Sequence, residues 1–173
     1  MGVYLVIIIP VLLLSMFVQW RFRNKFSKYA EMQLSSGLSG KEVAERMLHD
    51  NGIYDVKVMS TEGQLTDHYN PSDKTVNLST DVYYSRSVAA AAVAAHECGH
   101  AVQHATAYSW LQFRSAMVPA LTVTSKYLTW VLIGGVLMLN TFPALLGIGV
   151  LMFALTTIFS FVTLPVEFDA SDR

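Results

Sequence analysis

The chain has 173 residues, room for about one domain. Hydrophobic residues make up 53% and charged ones only 14%, against roughly 45–50% and 25% in a soluble domain, which points to a membrane. One cysteine excludes a disulfide scaffold, and a net charge of -1 gives no reason to expect nucleic acid as a partner. The charge is also unevenly spread: residues 1–20 carry none, and residues 117–164 carry only Lys126.

Residues 3–20 are apolar apart from Ser15 and Gln19. At about 1.5 Å per residue this run just crosses a bilayer core of about 30 Å, and Pro10 is tolerable in such a helix. The run is followed by Arg21, Arg23, Lys25 and Lys28, the reverse of a cleaved signal peptide. An uncleaved anchor is expected, with its cations on the cytoplasmic side and the N-terminus outside.

Ser39 and Glu42 have capping-box spacing, and Val43, Ala44, Met47 and Leu48 then recur at helical period until Asn51-Gly52 ends the helix. Residues 54–58 alternate as a strand, with a turn at Glu62-Gly63. A second extended piece over 65–69 meets a turn at Asn70-Pro71-Ser72-Asp73, and residues 75–78 can pair back on it. A small sheet therefore precedes a long helix that starts near Ser87 and covers 89–105, where alanine is abundant and proline absent.

That helix carries His96-Glu97-Cys98-Gly99-His100. Histidines four apart share one face about a turn from each other, so both imidazoles can bind one zinc ion. Glu97 is rotated about 100° from His96, close enough to reach a water on that ion without replacing it. A carboxylate there can take the water's proton as it attacks a carbonyl carbon. Histidine and glutamate are costly in a stretch rich in alanine and valine unless something satisfies them.

Residues 117–164 are long enough for two spans, interrupted at Asn140-Thr141-Phe142-Pro143, which predicts a transmembrane hairpin over 118–139 and 144–164. Lys126 and Tyr127 suit a cytoplasmic interface. A hairpin returns the chain to the side it left, so residues 21–116 share a compartment with 165–173.

Catalytic zinc usually keeps three protein ligands. His104 lies eight residues from His96, about 12 Å along the helix, too far to share an ion. Gln103 and Thr106 stand where a metzincin would have a glycine and a third histidine. After His100 the acidic residues are Glu167, Asp169 and Asp172, all beyond the hairpin. Glu167 comes first and has the longer reach, so it is the expected third ligand. Site-2-type intramembrane proteases take an aspartate from a motif beginning Asn-x-x-Pro, but after Asn140 and Pro143 this chain continues Ala144-Leu145-Leu146-Gly147 without one.

The chain resembles the YugP-like neutral zinc metallopeptidases of bacterial membranes. The resemblance is carried by Ser39-Gly40-Lys41-Glu42-Val43-Ala44, by Leu65-Thr66-Asp67-His68-Tyr69-Asn70-Pro71, by Val93 through His104, and by Leu164-Pro165-Val166-Glu167-Phe168-Asp169-Ala170-Ser171. It implies a membrane-bound, gluzincin-like endopeptidase with His96, His100 and Glu167 on zinc and Glu97 as the base. Two departures accompany it. Many gluzincins have an aspartate four residues after the glutamate ligand, where this chain has Ser171; and family members look longer, continuing as a helix past the Glu167-Phe168-Asp169-Ala170-Ser171 segment where this sequence stops at Arg173, so that a fragment or natural truncation would leave Glu167 on a short, fraying end.

His68, Tyr69 and His104 are candidate oxyanion donors, each with the plainer alternative of a side chain satisfied by backbone. Asp169 either orients a ligand or caps the last helix. Cys98, about 200° from His96, is a packing residue, and His49 suits the end of its helix.

The expected fold is an α+β membrane protein. A zincin-like helix and a small β-sheet are joined to an N-terminal transmembrane helix and a transmembrane helical hairpin. Residues 1–20 form the anchor, 21–116 the zinc-peptidase domain, 117–164 the hairpin, and 165–173 a C-terminal segment with the third ligand. The expected activity is a zinc-dependent endopeptidase acting on peptides or proteins at the cytoplasmic face of a bacterial cell membrane, with lipid but not nucleic acid as a partner. The alternatives are a catalytically degenerate metal-binding or scaffold protein and a site-2-like protease.

Overall fold

The computed structural model describes residues 2–173. Among the described residues, nine elements follow in chain order: α1 (Gly2–Glu31), α2 (Gly40–Asp50), β1 (Lys57–Thr61), β2 (His68–Asn70), β3 (Thr75–Ser79), α3 (Thr80–Tyr84), α4 (Val88–Ala105), α5 (Ser109–Leu137) and α6 (Ala144–Asp172). They fall into two compact units, 1–98 and 99–173, and the division lies inside α4, which is one continuous helix.

In the first unit, the capping box forms in both directions: the Glu42 N–H donates to Ser39 Oγ at 3.3 Å, and the Ser39 N–H to Glu42 Oε2 at 2.7 Å. Two orphan donors at the start of α2 are thereby satisfied. Gly52, at φ +70°, carries the chain out of the helix in the left-handed region. The sheet has the order β1-β3-β2, with β1 parallel and β2 antiparallel to β3.

The first strand starts at Lys57 rather than Tyr54. Its pairing with β3 begins at Lys57 opposite Thr75, so residues 54–56 have no ladder partner in the sheet and serve as the approach to it. β3 is the central strand, and Val76 and Leu78 on it are fully buried with Ala44, Leu48, Ala94 and Cys98. The short α3 turns the chain from β3 toward α4. The far end of α1 is tied to the start of α4 by Leu34 N–H to Arg86 O at 2.8 Å and Val88 N–H to Met32 O at 2.9 Å.

In the second unit, α5 and α6 form an antiparallel hairpin through residues 138–143, where the Phe142 N–H donates to Met138 O at 2.7 Å. Glycines let the helices approach: a Cβ on Gly135 would lie 2.7 Å from Leu146 Cα. Among the described residues, α5 and α6 are the two helices long and apolar enough to cross a membrane. Trp130, Leu137, Leu151 and Phe161 are largely exposed along them, as lipid-facing side chains are.

Both helices outrun the expected apolar spans. α6 continues through Pro165 to Asp172, so Glu167 lies on the same helix as the second apolar stretch. Proline here costs the helix one hydrogen bond without ending it, as is common in membrane helices.

Candidate metal centre

His96 and His100 project one turn apart from α4, both part-buried. The His100 Nε2 atom lies 3.3 Å from Glu167 Oε2 on α6. The ligand atoms of His96, His100 and Glu167 all lie within 4.8 Å of one another. Tetrahedral zinc with bonds of about 2.0–2.1 Å would place neighbouring donors about 3.3–3.4 Å apart, and two imidazoles with one carboxylate form a zinc donor set of the open, three-ligand kind. These residues fit zinc. The ligands come from two helices, with the histidine pair on α4 and the carboxylate on α6.

The close approach of α4 and α6 rests on Gly99. A Cβ there would sit 2.0 Å from the Ala170 carbonyl oxygen, so no larger residue fits at this crossing without moving backbone. Arg114 on α5 places Nη2 3.7 Å from Glu167 Oε1, adding a positive charge beside that carboxylate.

Glu97, next to the first histidine, is held from the sheet. The Tyr69 N–H on β2 donates to Glu97 Oε2 at 3.1 Å. β2 is paired with β3 on one side only, and this N–H points out of the opposite edge. The Tyr69 backbone therefore serves the carboxylate. Burial raises the Tyr69 phenol above its ordinary pKa, keeping it protonated. His68 is exposed, its Nδ1 atom 2.7 Å from Thr66 O and its Nε2 atom 3.3 Å from Asn77 Nδ2. His104 is exposed near the end of α4. Cys98 is fully buried; its Sγ donates to Ala44 O at 3.5 Å, and burial pushes the thiol up to about 12.

Gln103 was singled out in the sequence only as a departure from another motif, yet it is fully buried beside the centre. Its Oε1 lies 3.0 Å from His100 Nδ1, and its Nε2 donates to Val166 O at 2.7 Å and Asp169 Oδ2 at 2.8 Å. The signal was available: an uncharged amide three residues after a ligand, in a helix otherwise of alanine and valine, needs partners as much as His96 does. Ser171, in place of the gluzincin aspartate, donates its hydroxyl to Glu167 O at 3.1 Å and so bonds back along its own helix.

Residues 4–173 match the family described as "Putative neutral zinc metallopeptidase". The chain belongs to that family. It is 41% identical over 172 residues to the "Putative membrane protease YugP" of Bacillus subtilis (strain 168), covering 98% of this chain and 75% of that protein. No solved structure matches it. The chain is a zinc metallopeptidase of a bacterial membrane, and His96, His100 and Glu167 form a cluster that could hold a metal ion.

Proposed function

We propose that this metallopeptidase is an endopeptidase in which His96, His100 and Glu167 hold zinc and Glu97 is the general base and then the general acid. The observation that carries the reading is the convergence of those three donors, one turn and one helix crossing apart, with Glu97 beside them on α4. Bound zinc would supply Lewis acidity toward the scissile carbonyl and make water a better nucleophile near neutral pH. Glu97 takes a proton from the attacking water and passes it to the departing amine, while the Tyr69 N–H holds its Oε2 atom. Arg114, with Nη2 3.7 Å from Glu167 Oε1, helps to orient that carboxylate.

An extended peptide would add to the outer edge of β2, strand to strand, on the side where the Tyr69 N–H meets Glu97. The exposure of Val11, Leu14 and Phe17 on α1 supports a third span over 3–20, in addition to α5 and α6. Arg21, Arg23, Lys25 and Lys28 then favour a cytoplasmic peptidase domain over 21–116, with 117–164 as the membrane hairpin and 165–173 as the returning segment. The balanced net charge favours peptide over nucleic acid as substrate.

The test is Glu97→Gln in the full chain, purified in detergent. Cleavage should fall by at least about 10²-fold while zinc content is unchanged, because the amide cannot accept the proton. Undiminished proteolysis by this variant would sink the assignment.

A further inference from the structure

We propose that Gln103 is a positioning residue for the metal ligand His100. It fixes the imidazole as the Nδ1–H tautomer and so keeps the Nε2 lone pair directed at the metal. Gln103 is itself oriented by Val166 O and Asp169. The inference rests on the zinc-site reading above and adds to it the residue that makes one ligand competent.

A glutamine amide has one end that donates two hydrogens and one that only accepts. The Gln103 nitrogen faces the Val166 carbonyl at 2.7 Å and Asp169 Oδ2 at 2.8 Å. A carbonyl has no proton to give, and Asp169 is paired with Arg173, whose Nε lies 2.6 Å from the same oxygen. The amide is therefore locked with its NH₂ toward α6. Its oxygen is left facing His100 Nδ1 at 3.0 Å, and two acceptors cannot share that contact. Nδ1 must carry the hydrogen, so in the neutral ring Nε2 holds the lone pair. That nitrogen is the one 3.3 Å from Glu167 Oε2, about the separation of two donors on one tetrahedral zinc, so the lone pair and the carboxylate face a shared ion and not each other.

Burial makes the arrangement stringent. With Gln103 fully buried, water cannot replace a missing partner, and an amide flip would set carbonyl oxygen against carbonyl and carboxylate. The element that supplies the carboxylate ligand thus also orients a histidine ligand. Val166 and Asp169 flank Glu167 on α6, so one helix sets two of the three donors.

The experiment uses the full chain in detergent micelles with ¹⁵N-labelled histidine. Long-range ¹H–¹⁵N spectra of the metal-free protein read the tautomer, with the His100 signal assigned from its loss in His100→Gln. Wild-type His100 should carry a hydrogen on Nδ1, with or without a second on Nε2 toward Glu167; a hydrogen on Nε2 alone overturns the proposal, even if Gln103 variants fail to fold. Gln103→Met keeps the volume and removes the amide. It should lose the tautomer bias and weaken zinc binding by about 10- to 100-fold in chelator competition, the usual range for an outer partner of a ligand. Wild-type zinc affinity and tautomer in Gln103→Met overturn the proposal. A wild type with the expected tautomer but no zinc affinity leaves the Gln103 relay standing and overturns the zinc reading instead.

Discussion

Gly99→Ala separates two physical effects that have opposite signs. Helix propensity alone predicts that alanine stabilises an interior helical position by about 1 kcal/mol. The α4–α6 crossing predicts the reverse. The new Cβ would meet Ala170 O at 2.0 Å, Ala170 C at 2.8 Å and Ala170 Cα at 3.0 Å, where real Cβ atoms essentially never approach within 3.0 Å. The obstacle is backbone, so no rotamer change relieves it, and α6 must withdraw by roughly 1 Å or more at Ala170.

Glu167 lies three residues earlier on that helix, about 4.5 Å along its axis, and moves with it. Metal–ligand bonds tolerate about 0.2 Å, so the displacement is about five times what the centre absorbs. Overpacking of this kind costs about 1–3 kcal/mol, and a misplacement of about 1 Å can cost on the order of 10²-fold in rate. The assays are thermal unfolding of the metal-free chain, zinc affinity by chelator competition, and peptidase activity. All three should fall together. A Gly99→Ala protein that is more stable than wild type and binds zinc as tightly would refute the crossing as the element that sets the ligand distance.

Other consequences are read from single positions. Gly135→Leu should lower the unfolding temperature in detergent by forcing apart α5 and α6 at Leu146, whereas Gly147→Ala, with nothing within 4 Å of the added carbon, should be neutral or stabilising. Because the Cys98 thiol is pushed up to about 12, only about one in ten thousand molecules is thiolate at pH 8. Maleimide should therefore label the native chain negligibly and the denatured chain fully. That inertness makes Ser36→Cys a clean topology probe: impermeant reagents should not reach it in intact cells, and labelling there would contradict the cytoplasmic placement.

Much of the centre was legible because its chemistry is local. The spacing of His96 and His100 on an alanine-rich helix is dictated by helical geometry, and the capping box at Ser39 and Glu42 by the orphan donors of a helix start. Glu167 was reachable by elimination among few acids, aided by a hairpin that returns the chain. Long-range features were not legible in this way. Alternation in residues 54–58 resembles a strand, but the ladder partner that fixes its start is Thr75, and parallel pairing leaves no turn signal between the partners. Pro165 reads locally as a break, yet α6 runs through it and carries Glu167, Val166 and Asp169 on one rigid element. The role of Gln103 needs α6 to show, because the partners of its amide nitrogen are more than sixty residues away. Gly99 likewise shows its purpose only against Ala170.

The most direct test is the zinc content and affinity of the purified full chain beside His96→Ala, His100→Ala and Glu167→Ala. A single tightly held zinc in the wild type, lost or severely weakened in each variant while their helical content stays unchanged, is the predicted result. Wild-type zinc retention in Glu167→Ala would contradict the claim that α4 and α6 together build the centre.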